Sequence, residues 1–418
     1  MGSLNSRICF SRMKAWLRMT LQGVLKLVLP AGTLNRDLKL IFVSNFIGAF
    51  GDGLYAYILP LYIRSLEASS ADVGSLFSVF MLSTALTIIP GGFIADRFDR
   101  KKVMILGWML WVPLPLMFSA ATHWTQLFPV MGLYGFFLSG PATSAYVVTL
   151  ARKDRVTLTY TMMSASWWLG YIFSPGLGGY LSTFIGIRSV FFLSFILYAI
   201  ATSVLLFIRS QRAEKPSRSQ IEPSGSNSSH AEKIVLLSLF FAIVFFLLNL
   251  VRPFVVQFFQ DVYGLESFHI GVLGSVGFSG SALFSIGLGK VGDRWRKMVA
   301  VTIALLLGGF SFGLFICFSN FFALIFASFL NGASYMLWSL MGASVGSIAP
   351  EASRGRWISV SQMASTMAAS VAPYIGGVIY QSSPYMPFYI VIGVLPVLSV
   401  IALTKPFKEE KPFNQNRG

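Results

Sequence analysis

Long apolar segments separated by short polar loops run through most of the chain. Each is about 20 residues long, the length that an α-helix needs to cross the hydrocarbon core of a bilayer. The pattern therefore predicts an all-α integral membrane protein with twelve transmembrane helices. The predicted spans are 38–64, 73–94, 103–121, 126–150, 159–183, 187–208, 234–262, 270–291, 299–317, 321–348, 358–382 and 386–404.

A charged turn occurs twice, at corresponding places in the two halves of the chain. Residues 92–102 read GFIADRFDRKK between the second and third spans, and residues 289–297 read GKVGDRWRK between the eighth and ninth. The second copy begins 197 positions after the first. Parallel repeats of this kind are typical of transporters whose halves are related by an axis along the membrane normal. We predict two pseudo-symmetric six-helix bundles, 38–208 and 234–404.

Three polar stretches flank these bundles. Residues 1–37 mix basic and apolar side chains at roughly helical spacing, which indicates an amphipathic helix on the membrane surface. Residues 209–233 have the proline- and serine-rich composition of a flexible linker, and 405–418 form a short tail. We predict that all three are cytoplasmic.

Composition and charge support a membrane protein. Hydrophobic residues make up 55% of the chain and charged residues 11%, against about 25% charged in soluble domains. The net charge of +16 would suggest nucleic acid in a soluble chain, but here 29 of the 32 Lys and Arg lie on one side of the twelve-span arrangement. Basic residues accumulate on the cytoplasmic side. We therefore expect a multi-pass protein of the plasma membrane with both termini cytoplasmic, the lipid bilayer as its partner, and no nucleic acid.

The motifs resemble those of the major facilitator superfamily over residues 38–404. The stretch 92–102 is similar to that family's loop between spans two and three, with Asp99 in place of the usual Gly, and 289–297 is its weaker second copy. Residues 54–60 on the first span are similar to the twelve-span drug:proton antiporter branch. The resemblance implies the major facilitator fold and transport by alternating access.

The resemblance also implies a conformational latch at the charged turns, whose contacts form in one state and break in the other. The alternative is that these are solvated charges that anchor the span ends. The candidate latch residues are Gly92, Asp96, Arg97, Arg100, Asp293 and Arg294.

A proline and glycine signature on the fifth span resembles one associated with antiporters, with Ser174 in place of its second Gly. A similar group follows on the eleventh span. Proline removes a helix hydrogen bond and glycine permits close contact, so both helix bending and packing between the halves are possible roles. The signature residues are Gly170, Pro175, Gly178, Gly179, Pro373, Gly376 and Gly377. The family's span-four arginine, thought to help proton coupling, has no counterpart in 126–150.

Asp52 lies deep in the first span and Arg252 deep in the seventh. An ionisable residue at the centre of a span costs about 2.5–3.5 kcal/mol on insertion scales, so it indicates a function. Desolvation favours the uncharged form of a carboxyl group, and Asp52 is our candidate for proton coupling; the alternative is a structural ion pair. Arg252 could contact Asp52 across a cavity, or extend to the outer interface.

Side chains spaced to share one face of a span are candidates for a substrate cavity. Tryptophan offers a flat surface to lipophilic or cationic compounds, although most aromatic residues in such a chain pack or face lipid. The cavity candidates are Asn45, Asp52, Tyr55, Asn249, Arg252, Gln260, Asn331, Tyr335, Trp338 and Trp167.

These features favour a secondary active transporter that exports small lipophilic or amphipathic molecules in exchange for protons. A proton-coupled importer, an uncoupled facilitator and a receptor that binds without transport are the alternatives. No phosphate-binding loop follows Gly289 and Lys290, and no nucleophile or zinc pattern occurs. We therefore expect no enzyme activity, no cofactor and no metal, with a small-molecule substrate and protons as ligands of a monomer.

Overall fold

The computed structural model describes residues 34–152, 155–212, 228–350 and 354–404. The predicted surface helix of the N-terminal tail, most of the linker and the C-terminal tail lie outside the described residues. The boundaries proposed for these segments stay predictions.

Within the described ranges the helices fall at the positions of the twelve predicted spans. Seven, among them spans 3 and 10 taken whole, are long and apolar enough to cross a bilayer, and the bent pair of span 1 makes an eighth. Spans 4, 5, 11 and 12 do not meet this criterion of length and hydropathy. The spans are 1 (Arg36–Ala56 and Leu59–Ser65), 2 (Ser70–Arg97), 3 (Arg100–Trp111 and Leu114–Ala120), 4 (Leu127–Tyr134 and Ser139–Leu150), 5 (Val156–Ile185), 6 (Ile187–Leu205), 7 (Ser228–Tyr263), 8 (Ser267–Arg294), 9 (Lys297–Cys317), 10 (Phe321–Tyr335 and Leu337–Ile348), 11 (Arg354–Ser382) and 12 (Met386–Ala402).

The first span is broken, which its apolar pattern does not predict. Its two helices meet at an angle of 43°, with Tyr57 and Ile58 between them. Pro60 has no backbone N–H and cannot donate to the carbonyl group of Ala56. The break therefore follows from the proline.

Each half has its own hydrophobic core. One cluster of buried side chains is drawn from spans 1 to 6 and the other from spans 7 to 12, with Ile58 and Leu61 of the first half reaching into the second cluster. The largest contacts between the halves join span 2 to span 11 and span 5 to span 8. The fold is the two-bundle arrangement predicted from the repeat.

Glycines make these contacts between the halves close. A Cβ atom at Gly74 would lie 2.1 Å from the carbonyl oxygen of Pro373, and one at Gly271 would lie 2.3 Å from that of Pro175. Gly74 and Gly271 are 197 positions apart, so the two contacts are equivalent under the repeat. Both lie near the ends of the spans away from the charged turns. We call that side the distal face, and the side of the charged turns the basic face.

Candidate functional site

A cavity of about 720 Å³ is lined mostly by the first half, and the second half contributes Trp338, Ser359 and Gln362. It extends from Asp52, in the middle of span 1, to Gly92 and Val147, which lie near the basic face. The distal side is closed by the glycine contacts described above. Large aromatic side chains dominate its lining: Phe80, Trp108, Trp111, Tyr134, Phe137, Trp167, Tyr171 and Trp338.

Asp52 forms the polar centre of this cavity. Its side chain is 3% exposed. The hydroxyl of Tyr134 donates to Asp52 Oδ1 at 2.6 Å, that of Tyr198 donates to the same oxygen at 2.5 Å, and that of Tyr171 donates to Oδ2. Hydrogen bonds to a carboxylate offset part of the cost of burying it. Spans 4, 5 and 6 thus each contribute one phenol to an acid on span 1.

A second layer of aromatic side chains fixes these phenols. The Tyr55 hydroxyl lies 3.1 Å from that of Tyr198, and the Trp108 ring meets the Tyr198 ring edge-on at 5.9 Å between centroids. The Trp111 ring lies 5.7 Å from that of Tyr134. Aromatic pairs at such distances are favourable beyond the area they bury. The tyrosines are therefore held by packing in positions that suit Asp52.

A break in span 4 places Tyr134 beside Asp52. The first helix of that span ends at Tyr134, and helix geometry resumes at Ser139. The free carbonyl oxygen of Phe136 accepts a hydrogen bond of 3.0 Å from Trp111 Nε1. A Cβ atom at Gly135 would lie 2.4 Å from the Phe80 carbonyl oxygen, so close packing on span 2 requires glycine there.

The cluster provides a chemical link between protonation and the cavity wall. An ionised carboxylate only accepts hydrogen bonds, whereas a protonated one also has an O–H that donates. If Asp52 were protonated, its O–H would lie beside Tyr134, Tyr171 and Tyr198, and a phenol that accepted from it would reverse its hydrogen bond. Because Tyr134 and Tyr171 also line the cavity, this change would alter the surface that a ligand contacts.

Arg252 does not contact Asp52 in the described part of the chain. Its Nη2 donates to the carbonyl oxygen of Ser334 at 3.2 Å, and its guanidinium lies 4.8 Å from the centroid of the Tyr335 ring. Arg252, Tyr335 and Asn331 line a second cavity of about 20 Å³. The contact considered between Asp52 and Arg252 is therefore not formed: the acid accepts hydrogen bonds from phenols, and the base contacts Ser334 and Tyr335.

The remaining cavity candidates divide into two groups. Asn45, Trp167 and Trp338 line the main cavity with Asp52, and Tyr55 is fully buried behind that acid. Neither Asn249 nor Gln260 is among the residues that line either cavity.

The surroundings of these two span 7 residues differ from a cavity wall in this conformation. The amide of Asn249 donates at 2.8 Å to the Phe245 carbonyl oxygen of its own helix, and Gln260 is exposed near the distal end. It is Gln257 that is buried, and its Oε1 accepts a hydrogen bond of 3.1 Å from Ser70 of span 2. Because a helix turns by about 100° per residue, Gln257 and Gln260, three positions apart, have different neighbours.

The latch candidates lie at the basic face and do not join the halves in this conformation. Asp96, Arg97, Asp293 and Arg294 are exposed, and none has an ion-pair partner in the described residues. A Cβ atom at Gly92 would have nothing within 4 Å.

Arg100 acts within the first half instead. It donates to Thr149 Oγ1 at 2.6 Å and to Gln211 Oε1 at 3.1 Å, which ties span 3 to span 4 and to the beginning of the linker. Asp99 accepts hydrogen bonds from Ser210 Oγ and from the backbone amides of Lys101 and Lys102. Partial burial acts to raise the pKa of Asp99, but these hydrogen bonds outweigh it and lower the pKa below its ordinary value.

The signature glycines pack helices together in a repeated pattern. A Cβ atom at Gly178 would lie 1.7 Å from the Leu54 carbonyl oxygen of span 1, and one at Gly376 would lie 2.1 Å from the Leu250 carbonyl oxygen of span 7. Gly179 contacts Ser267 and Gly377 contacts Ser70, each across the halves. Gly170 lies against Ala49. Pro175 and Pro373 lie inside continuous helices, so packing is the role that the geometry supports.

The tyrosines around Asp52 were missed by sequence reasoning. A single tyrosine in an apolar span has no distinctive pattern, and Tyr134, Tyr171 and Tyr198 come from three different spans. The available signal was indirect, because a buried carboxylate requires donors.

The sequence matches a family model described as the Major Facilitator Superfamily, over residues 41–268 and 237–418. Together these ranges cover both halves. The match includes every residue of the main cavity named above.

Two relatives cover almost the whole chain. Multidrug resistance protein 2 of Bacillus subtilis (strain 168) is 23% identical over 392 residues, which are 90% of this chain and 96% of the relative. Quinolone resistance protein NorA of Staphylococcus aureus (strain COL) is 23% identical over 398 residues, 92% of this chain and 100% of the relative.

The fold is also that of solved transporters. A POT family transporter in complex with 5-aminolevulinic acid superposes with a TM-score of 0.76 at 16% identity, over 89% of this chain and 96% of the other. At that identity the likeness concerns the fold.

Proposed function

Because the chain belongs to the Major Facilitator Superfamily, we propose that it is a secondary transporter that exports small lipophilic or amphipathic compounds in exchange for protons. The observation that carries this proposal is the main cavity, about 720 Å³ lined by aromatic rings around one buried carboxyl group. Pockets for drug-sized ligands have volumes of about 300–1,000 Å³ and are lined mostly by apolar and aromatic groups.

The cavity supports alternating access. It reaches the basic face, while the distal face is closed by Gly74 against span 11 and by Gly271 against span 8. In the opposite state the halves would rock so that the distal contacts open and the basic face closes. The exposed carboxylates of the latch residues Asp96 and Asp293 could then each pair with a base or a helix N-terminus.

Asp52 and its tyrosines are the proposed site of proton coupling. A lipophilic cation would be attracted to the ionised acid and would stack on the surrounding rings. Proton binding at Asp52 would remove that attraction and rearrange the phenols, so that proton and substrate would compete for one site. Competition of this kind is what exchange requires.

Membrane orientation is part of the proposal. The basic face, which holds most Lys and Arg, would be cytoplasmic, together with both termini and the linker, in the plasma membrane. The described state would then be open to the cytoplasm, which is the side from which an exporter takes up its substrate. The two multidrug and quinolone resistance relatives support this direction.

One observation favours a second candidate, an uncoupled facilitator. The residue that faces Asp52 from span 4 is Tyr134, and that span has no Arg or Lys between residues 126 and 150. Span 4 therefore has no positive charge that could repel a proton from Asp52. If the tyrosines alone do not couple proton binding to transport, the protein would be a facilitator.

Reconstitution in proteoliposomes separates these functions. We would impose a pH gradient, follow the flux of lipophilic cations and record internal pH with a trapped dye. Opposed movement of protons and compound supports exchange, whereas movement of both in one direction indicates an importer. Flux that does not depend on the pH gradient indicates a facilitator, and binding without flux indicates a receptor.

A further inference from the structure

The seventh span carries a base whose charge the described part of the protein does not neutralise. Arg252 donates from Nη2 to the Ser334 carbonyl oxygen and lies against the Tyr335 ring. Its Nε is buried and has no hydrogen-bond partner. A carbonyl oxygen and an aromatic face stabilise a cation, but neither cancels its charge.

No described carboxylate forms an ion pair with Arg252. Asp52, the buried acid of the first span, accepts its hydrogen bonds from three phenols. An unpaired charge inside a membrane protein is costly unless it meets a partner or water. The surroundings of Arg252 therefore lack one negative charge.

Space for such a charge exists beside the guanidinium. The second cavity, about 20 Å³, is lined by Arg252, Ser328, Asn331 and two tyrosines, Tyr57 and Tyr335. This volume is enough for one water-sized particle. Ser328 is 2% exposed and its Oγ, like Arg252 Nε, is buried without a partner.

The choice between water and an anion follows from electrostatics. Both could accept hydrogen bonds from Arg252 Nε and from the Ser328 hydroxyl, but water leaves the positive charge uncompensated. An anion compensates the charge, and charge-assisted hydrogen bonds are about twice as strong as neutral ones. We propose that the Arg252 pocket binds a small monovalent anion about the size of chloride.

A row of aromatic rings separates this pocket from the acid. Tyr171, which donates to Asp52, lies 4.8 Å from Phe278 between ring centroids, and Phe278 lies 5.4 Å from Tyr335. The first half therefore holds an acid and the second half a base, with rings between them.

The anion pocket does not depend on export, because its occupancy can be measured on purified protein without transport.

Chloride titration of the purified protein tests the pocket. We would purify the protein in detergent with sodium gluconate and replace gluconate by chloride at constant ionic strength while recording the melting temperature. A ligand that binds only the folded state stabilises it in proportion to the logarithm of one plus its concentration divided by its Kd, so the titration gives a Kd. We expect a rise of this form in the unmodified protein and its loss in Arg252→Gln.

Two further variants keep the test decisive. Ser328→Ala removes one hydroxyl donor, and we expect the Kd for chloride to rise about tenfold, as for one hydrogen bond to a charged group. Lys290→Gln makes the same change of charge at an exposed position and should leave the titration unchanged. If Arg252→Gln does not fold, an unaltered Kd for chloride in Ser328→Ala is sufficient to overturn the proposal.

A second series with sodium acetate and uncharged acetamide tests the size limit of the pocket. A pocket of about 20 Å³ has room for one water-sized particle, so we expect chloride to raise the melting temperature and neither acetate nor acetamide to do so. If chloride gives no rise of the stated form, or if the rise persists in Arg252→Gln, the proposal is overturned.

Discussion

Arg64 and Asp261 lie one repeat length apart, 197 positions, and form an ion pair that joins the two halves at the distal face. Arg64 is near the end of span 1, and Asp261 holds the equivalent place near the end of span 7. The Tyr380 hydroxyl also donates to Asp261 Oδ2 at 3.0 Å. The side chains are 34% and 27% exposed, so water screens the pair. It closes the face opposite the cavity mouth.

Removing this ion pair should favour the state that is open at the distal face. Partly exposed pairs contribute about 0.2–1 kcal/mol, so Arg64→Gln or Asp261→Asn should change the ratio of the two states by up to about fivefold. Spin labels at Ile185 and Ser382, at the distal ends of spans 5 and 11, would report the separation of the halves. The reversed pair, Arg64→Asp with Asp261→Arg, should restore the original distances. Identical distance distributions in both single variants would contradict this role.

Asp52→Asn should abolish proton-driven flux while leaving expression intact. An amide of the same shape can still contact the phenols but cannot exchange a proton. Substrate exchange without a gradient should persist, because it needs no net proton movement. Gradient-driven transport at the unmodified level would show that Asp52 is not the carrier.

Tyr134→Phe should change the pH dependence of proton-driven flux without abolishing that flux. It removes one of two hydrogen bonds to Asp52 Oδ1 and leaves the ring that lines the cavity. A hydrogen bond to a charged group contributes about 1.5–3 kcal/mol, so we expect the pH dependence of flux to shift by about one unit or more. Tyr180→Phe, which changes an exposed phenol on span 5, is the matched control. A pH profile of Tyr134→Phe that overlies the control would exclude the tyrosine from coupling.

Gly271→Ala should destabilise the state described here. Its Cβ would lie 2.3 Å from a backbone oxygen that cannot move away without shifting span 5, and overpacking of this kind costs about 1–3 kcal/mol. Thermal unfolding in detergent is the measurement. Gly287→Ala on the same span, where nothing lies within 4 Å of the added atom, should not lower the melting temperature, because alanine favours a helix over glycine. Equal melting curves for the two variants would mean that the span 5 contact does not limit stability.

Gly92→Leu should slow turnover without changing the state described here. A Cβ atom has nothing within 4 Å at Gly92 or at its repeat equivalent Gly289, so both positions tolerate a side chain while the basic face is open. Closure of that face would bring helices together there, and small residues permit close approach. We expect an unchanged melting temperature and a loss of turnover of about tenfold or more, from a clash of a few kcal/mol. Unaltered flux would show that Gly92 stays clear of its neighbours in both states.

Features that follow from the order of residues within one segment could be predicted from the sequence. The spans follow from apolar length, and the duplication follows from the repeated charged turn. Asp52 was identifiable because a carboxylate inside a span is rare. The two-bundle fold is confirmed by the family match.

Features that depend on how helices face each other were not accessible. Span 7 is buried around most of its circumference, so its sequence has no polar side from which the cavity face can be deduced. Helical spacing places Gln260 on one face with Asn249 and Arg252, whereas Gln257 is the buried residue. Tyr134, Tyr171 and Tyr198 converge on Asp52 only after three separate spans have packed around the first.

Four of the nine tryptophans of the chain, Trp108, Trp111, Trp167 and Trp338, line the main cavity. Indole emission depends on the polarity of its surroundings and on contact with quenching groups. Much of the protein's own fluorescence therefore originates next to the place where a ligand would dock. Ligand binding in the main cavity should therefore change the intrinsic tryptophan fluorescence, which can be recorded without an added dye.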